Sequence, residues 1–118
     1  MSERSSKLLI EDMIECTSRI FRFTEGQSYG EFVQDDKTQS AVLRMLEVLG
    51  EAANRIPKEE RNRFPEIEWG KIIRSRNLII HDYEIIDYSV IWKIITTHLP
   101  PLKKSLEEIL KELYPDQD

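Results

Sequence analysis

The chain has 118 residues, 40% hydrophobic and 33% charged, with four Gly, five Pro and a formal net charge of -5. That length holds one domain with a single core, and the composition excludes disordered, collagen-like and low-complexity classes. The acidic balance argues against a general nucleic-acid coat, whose affinity comes mainly from phosphate neutralisation. No apolar run approaches the roughly 18 residues of a spanning helix. With one cysteine, Cys16, there is no internal disulfide, and no secretory leader pattern opens the chain, so a cytoplasmic, membrane-free protein is expected.

Ser6 to about Phe23 places Leu9, Ile10, Met13, Ile14, Ile20 and Phe21 at helical spacing, with Thr24-Glu25-Gly26 as the stop. Tyr29 to Val33 reads as a short helical turn. Asp35 or Asp36 then caps a second long helix that runs to Ile56 and is closed by Pro57. Lys58 to Phe64 reads as a surface turn. A third helix spans Glu68 to about Asp82, and a fourth runs from Asp87, its N-cap, to Leu99. Pro100-Pro101 is expected to break the helical run, and Pro101 to sit in the first turn of a last helix whose stripe is Leu102, Leu106, Ile109, Leu110 and Leu113. Short connections favour antiparallel neighbours. The expected fold is all-α: one domain over residues 1–118, an up-and-down antiparallel bundle of four to five helices.

The segment from Arg74 to Tyr83 is the richest in chemistry, with a fixed cation, an amide, an imidazole and a phenol inside a stretch apolar enough for a core. On a wheel of about 100° per residue, Ile72, Ile73, Ile79 and Ile80 lie within roughly 80° of Trp69, and Arg76 falls near the middle of that arc. A buried guanidinium needs an anion, a wet cleft or a partner chain. One reading is a structural ion pair with Glu51 or Glu47 of the preceding long helix. The other is a groove or subunit interface where Arg76 grips phosphate through its planar fork of donors. The two are compatible, because an acidic residue such as Glu51 can hold the guanidinium for a phosphate.

Asn77 and His81 are four residues apart and share a polar flank with Arg74. Arg76 and His81 diverge by about 140° in an ideal helix, so either the helix ends before His81 or a two-fold dimer brings the two together from different chains. A histidine titrating near pH ~6.5 can move a proton at neutral pH. Beside an arginine, that points to phosphoryl chemistry, although solvated histidines are the commoner case. Tyr83 is near the helix end, and an interfacial aromatic is its bland reading. His98, next to Pro100, is expected to cap a helix C-terminus, and Cys16 to be a small core residue. Two separated histidines and one cysteine form no metal-ligand pattern, and no Gly-rich phosphate loop is present. From Arg55 to Arg76 the chain sets Arg55, Lys58, Arg61, Arg63, Lys71, Arg74 and Arg76 against Glu59, Glu60, Glu66 and Glu68, a local basic excess that can face a polyanion.

The stretch Arg76-Asn77-Leu78-Ile79-Ile80-His81-Asp82-Tyr83 resembles the Arg-polar-x(n)-His motif of the HEPN family, in the Arg-x4-His-x-Tyr form of HepT-like toxins. The likeness also covers Leu46-Glu47-Val48-Leu49-Gly50-Glu51-Ala52-Ala53, Phe64-Pro65-Glu66-Ile67-Glu68-Trp69, Ile91-Trp92 and Leu99-Pro100. The resemblance implies a two-fold homodimer with both motifs lining one cleft, and metal-independent cleavage of RNA without a cofactor. It makes His81 the general base on a ribose 2′-hydroxyl, Arg76 the stabiliser of the scissile phosphate, and Asn77 an orienting group, with Arg74, Lys71 and Glu51 in support. It also implies a toxin–antitoxin pair in which a minimal nucleotidyltransferase antitoxin transfers AMP to Tyr83, placing bulk and negative charge beside the site. tRNA is the target the resemblance suggests. Glu68 departs from the proline that relatives often carry there. The rival from another class is a non-catalytic dimer that serves as a nucleotide-binding or docking subunit of the transferase. A plain helical scaffold with Arg76 in a structural salt bridge is the third reading.

Overall fold

A computed structural model describes residues 4–76 and 86–115. Helix α1 spans Ser6–Thr24, opened by Ser5, whose side chain accepts from the Leu8 N–H. Its buried face, Leu9, Ile10, Met13, Cys16, Thr17, Ile20 and Thr24, follows the three- and four-residue steps of an amphipathic helix. Gly26 takes the left-handed conformation (φ 76) that turns the chain out of the helix. A single turn, α2 (Tyr29–Phe32), is held by a reciprocal capping box between Ser28 and Glu31. It drives Phe32 into the core, its ring centroid 5.2 Å from that of Trp92 and edge-on to Tyr88.

Asp35 caps α3 (Asp36–Arg55), accepting from the N–H and hydroxyl of Thr38 and from Gln27. Three donors on one carboxylate hold its pKa below the ordinary value. The buried Gln39 amide donates to the Phe32 carbonyl at 2.9 Å, which ties α2 to α3. Pro57 closes α3 as expected. The stretch read as a surface turn instead holds a short helix, α4 (Lys58–Asn62), where Glu59 and Glu60 lie in the first turn and complement the dipole. Ser6 hydrogen-bonds Glu60, which ties α4 to the start of α1.

Helix α5 (Trp69–Ser75) starts after Glu68, which makes no side-chain cap. Its entry is set by Trp69, whose indole N–H donates to the Phe64 carbonyl at 3.1 Å. The expected continuation of this helix to Asp82 lies outside the described residues. Chain order resumes with α6 (Tyr88–Lys93), capped by Asp87 as the sequence predicts.

Pro100-Pro101 does not break the helical run. Helix α6 passes through a π turn, Ile94–His98, directly into α7 (Leu99–Leu113). Pro100 and Pro101 have no N–H for the carbonyls of Thr96 and Thr97, and their rings crowd the turn before them. The helix widens instead of ending, and the Leu99 N–H reaches back five residues to Ile94.

Among the described residues there is no strand, and the architecture is an all-α antiparallel bundle. Helix α1 packs between α3 and α7, and α5 lies on α3. Met13, Ile20, Phe32, Val42, Leu46, Leu49, Ile91 and Leu106 form the centre of the core and are fully buried. No described helix is long and apolar enough to cross a membrane.

Candidate active site

Helix α5 carries the first half of the predicted site, and Gly50 of α3 sets how near it comes. A Cβ at Gly50 would lie 3.1 Å from the Ile72 carbonyl, 3.6 Å from that of Ile73 and 3.4 Å from the Arg76 Cβ. The two backbones therefore meet where α3 has no side chain. Arg76 is the C-cap of α5, half-buried against this contact.

The position of Arg76 on the apolar side agrees with the helical wheel, but neither Glu47 nor Glu51 forms the ion pair that one of the two readings required. Glu47 is taken by Arg44 at 2.9 Å, Glu51 is exposed, and among the described residues no carboxylate pairs with Arg76. Its Nε is buried and has no hydrogen-bond partner there. An unmatched buried donor of a charged group costs free energy that a purely structural residue would avoid. The pattern fits a cation held ready for an anion.

Lys71 and Arg74 are exposed on the other side of α5. Lys71 pairs with Glu68 at 2.8 Å, and its hydrogen bond and charge, with a smaller contribution from His98, keep the Glu68 carboxyl below its ordinary pKa. Arg74 folds back over Gly70, where a Cβ would lie 2.9 Å from its Nη1. Two of the basic residues counted in the sequence serve the fold instead: Arg61 donates to the Ile56 carbonyl, and Arg63 lies over the Phe64 ring. Asn77, His81 and Tyr83 lie outside the described residues.

Sequence reasoning missed a cavity of about 560 Å³ between α5 and the π turn. Leu46, Leu49, Ile72, Leu99 and Leu102 form its apolar floor, while Lys71, Arg74 and His98 stand among its polar lining. His98, expected to cap a helix end, does not, because the helix continues to Leu113 and presents no terminal dipole there. The available signal was the proline pair two and three residues after His98, which marks a widened turn as well as it marks a break.

Cys16 is buried, and burial pushes its thiol up to about 11, so at neutral pH it stays protonated and is a poor nucleophile. Among the described residues no cluster of His, Cys, Asp or Glu is arranged to hold a metal.

Comparison with known proteins matches residues 13–109 to a family described as HepT-like, "Ribonuclease HepT-like". A Methanocaldococcus jannaschii protein named as a candidate RNase is 36% identical over 113 residues, spanning 96% of this chain and 93% of the relative. A second candidate RNase of that organism is 36% identical over 107 residues, 91% of this chain and 98% of the relative. A Thermococcus cleftensis protein named "Probable ribonuclease HepT" is 38% identical over 109 residues, 92% of this chain and 99% of the relative. No solved structure matches the chain significantly.

Proposed function

Because the chain belongs to the HepT-like ribonuclease family, we propose that it is an endoribonuclease in which Arg76 and His81 cut RNA without a metal. The observation that carries this reading is the buried Arg76 Nε, held at the end of α5 against Gly50 without a partner among the described residues. A guanidinium fixed in that way needs little reorganisation to meet the charge that builds on a phosphate in the transition state.

His81 takes the proton from a ribose 2′-hydroxyl as the 2′-oxygen attacks phosphorus. The bond to the 5′-oxygen breaks, and that oxygen takes a proton from solvent. The products are a 2′,3′-cyclic phosphate and a 5′-hydroxyl end. Arg76 neutralises the non-bridging oxygens, Asn77 orients the imidazole or phosphate, and Arg74 and Lys71 hold the flanking backbone. Glu51 serves as an outer support for the basic groups. The site is completed in a two-fold homodimer, with Arg76 and His81 of both chains lining one cleft.

The biological setting follows the same reading: a toxin of a toxin–antitoxin pair, acting on tRNA and silenced by a minimal nucleotidyltransferase that transfers AMP from ATP to the Tyr83 phenol with release of pyrophosphate. A phosphodiester-linked nucleotide on that phenol would occupy the cleft and repel the RNA backbone.

Purified protein, Arg76→Ala and His81→Ala are to be incubated with tRNA in chelator, and the product ends analysed. Cleavage by the unaltered protein with cyclic phosphate ends, lost by about 100-fold or more in both variants, is expected. Equal cleavage by His81→Ala would refute the assignment. Co-expression with the transferase should add the mass of AMP, and Tyr83→Phe should abolish the increment.

A further inference from the structure

We propose that the cavity between α5 and the π turn is a specificity pocket that takes one unpaired base of a single-stranded RNA beside the cleaved linkage, favouring bases that carry an exocyclic amine. This rests on the ribonuclease reading for the identity of the polymer. The base pocket itself is argued from the cavity.

Its place in the fold is the first reason. Arg74 and Ser75 line the cavity and directly precede Arg76, so the cavity adjoins the catalytic arginine along the chain, although Arg76 itself is turned to Gly50 and is not part of the lining. Its chemistry is the second. A volume of about 560 Å³ is within the range of pockets that enclose a small ligand, and its floor is aliphatic. A nucleobase is a flat body with apolar faces and a polar edge, attached to a phosphate. The leucines can cover a face, the Arg74 guanidinium plane can stack on the other, and Lys71 with Arg74 can meet the phosphate. Glu66 and Glu68 balance Lys71 and Arg74 in the lining, so these cations act on a seated phosphate at close range and not as a long-range field.

The base edge would be read by groups without other duties. Among the described residues the Glu66 carboxylate and the Ser105 hydroxyl line the cavity and have no hydrogen-bond partner, whereas Glu68 is committed to Lys71 and the Ser75 hydroxyl donates to the Ile72 carbonyl. A carboxylate accepts from an amine such as cytosine N4 or adenine N6 but meets the O4 acceptor of uracil with repulsion. The third reason is the π turn. It places Ile94 and His98 on the cavity wall at the cost of regular helix geometry, and π turns recur at functional sites for such re-aiming of side chains.

The test uses the cleavage-dead full chain, His81→Ala, titrated with labelled oligo(A), oligo(C) and oligo(U). Oligo(A) or oligo(C) should bind about tenfold more tightly than oligo(U). Leu102→Phe, which fills the floor, and Glu66→Gln, an exposed change that spares the core, should each bring that ratio near unity. Equal binding of the three oligomers by His81→Ala would overturn the proposal, as would a ratio that survives both substitutions. Displacement of the oligomer by an equal concentration of free nucleoside monophosphate would also overturn it, revealing a free-nucleotide site. Failure of the unaltered protein to cleave RNA while the ratio persists would sink the ribonuclease reading and leave the base pocket standing.

Discussion

Gly50→Ala tests how tightly α3 and α5 meet. Within a helix interior, replacing Gly by Ala gains about 0.8–1.0 kcal/mol of propensity. The new methyl would lie 3.1 Å from the Ile72 carbonyl oxygen and 3.4 Å from the Arg76 Cβ. The first contact is tighter than ordinary van der Waals distance and involves backbone, so α5 has to move by a few tenths of an ångström. Overpacking of this kind costs roughly 1–3 kcal/mol, which leaves a net loss of about 1 kcal/mol after the propensity gain. Gly50→Val gains less propensity and adds more bulk, so its net loss should be about 2 kcal/mol. Urea melts of the three proteins should rank Gly above Ala above Val, with thermal midpoints falling by about 4 °C per kcal/mol. Since the Arg76 Cβ is among the displaced atoms, RNA cleavage by Gly50→Ala should fall by about tenfold. A Gly50→Ala protein that is more stable than the parent by about 0.5 kcal/mol or more would refute the close-approach argument, because propensity alone would then account for it.

Arg76→Met removes the buried donor that has no partner among the described residues while keeping much of the bulk. It should raise stability by about 1 kcal/mol in denaturant melts and abolish cleavage, the opposite signs expected of a functional rather than structural charge. Met13→Ala, at a fully buried core position, should cost about 2–4 kcal/mol by the same melts. Asp35 has a depressed carboxyl in the folded chain, so its contribution is present above the ordinary value of 3.8 and is lost as pH falls through the lower folded value. Asp35→Asn keeps a capping oxygen and should flatten that acid limb in thermal midpoints measured down the pH scale. An unchanged limb would show that the carboxylate charge contributes nothing there.

Much of the bundle was legible because its signals are local. The apolar steps from Leu9 to Ile20 and from Val42 to Ala53 define α1 and α3, and Asp35, Asp87, Gly26 and Pro57 mark ends through capping, φ and missing donors. Local rules misread Pro100-Pro101, because a proline pair forbids regular α-helix geometry without deciding whether the chain stops or widens. Here packing of α7 against α1 and continuity of the buried row Ile91, Ile95, Leu99 and Leu106 favour widening. The short α4 was missed for a related reason: it buries no residue, so it has no periodic apolar face to detect.

At the site, the wheel correctly put Arg76 on the apolar side of its helix, since a side chain's face depends only on helical period. Whether a carboxylate meets it depends on the axial position and rotamers of a different helix, and Glu47 turns to Arg44 instead. The cavity beside it was equally invisible, being bounded by residues from Leu46 to Ser105 that no sequence window contains. By itself, then, the sequence determined the helices, most of their caps and the face that Arg76 occupies, because these follow from spacing along one strand of chain. Only the tertiary structure decided that Gly50 would meet the backbone of α5, that Arg76 Nε would lack a partner among the described residues, and that a π turn would open a pocket at its side. Those are relations between helices, set by how the whole core closes.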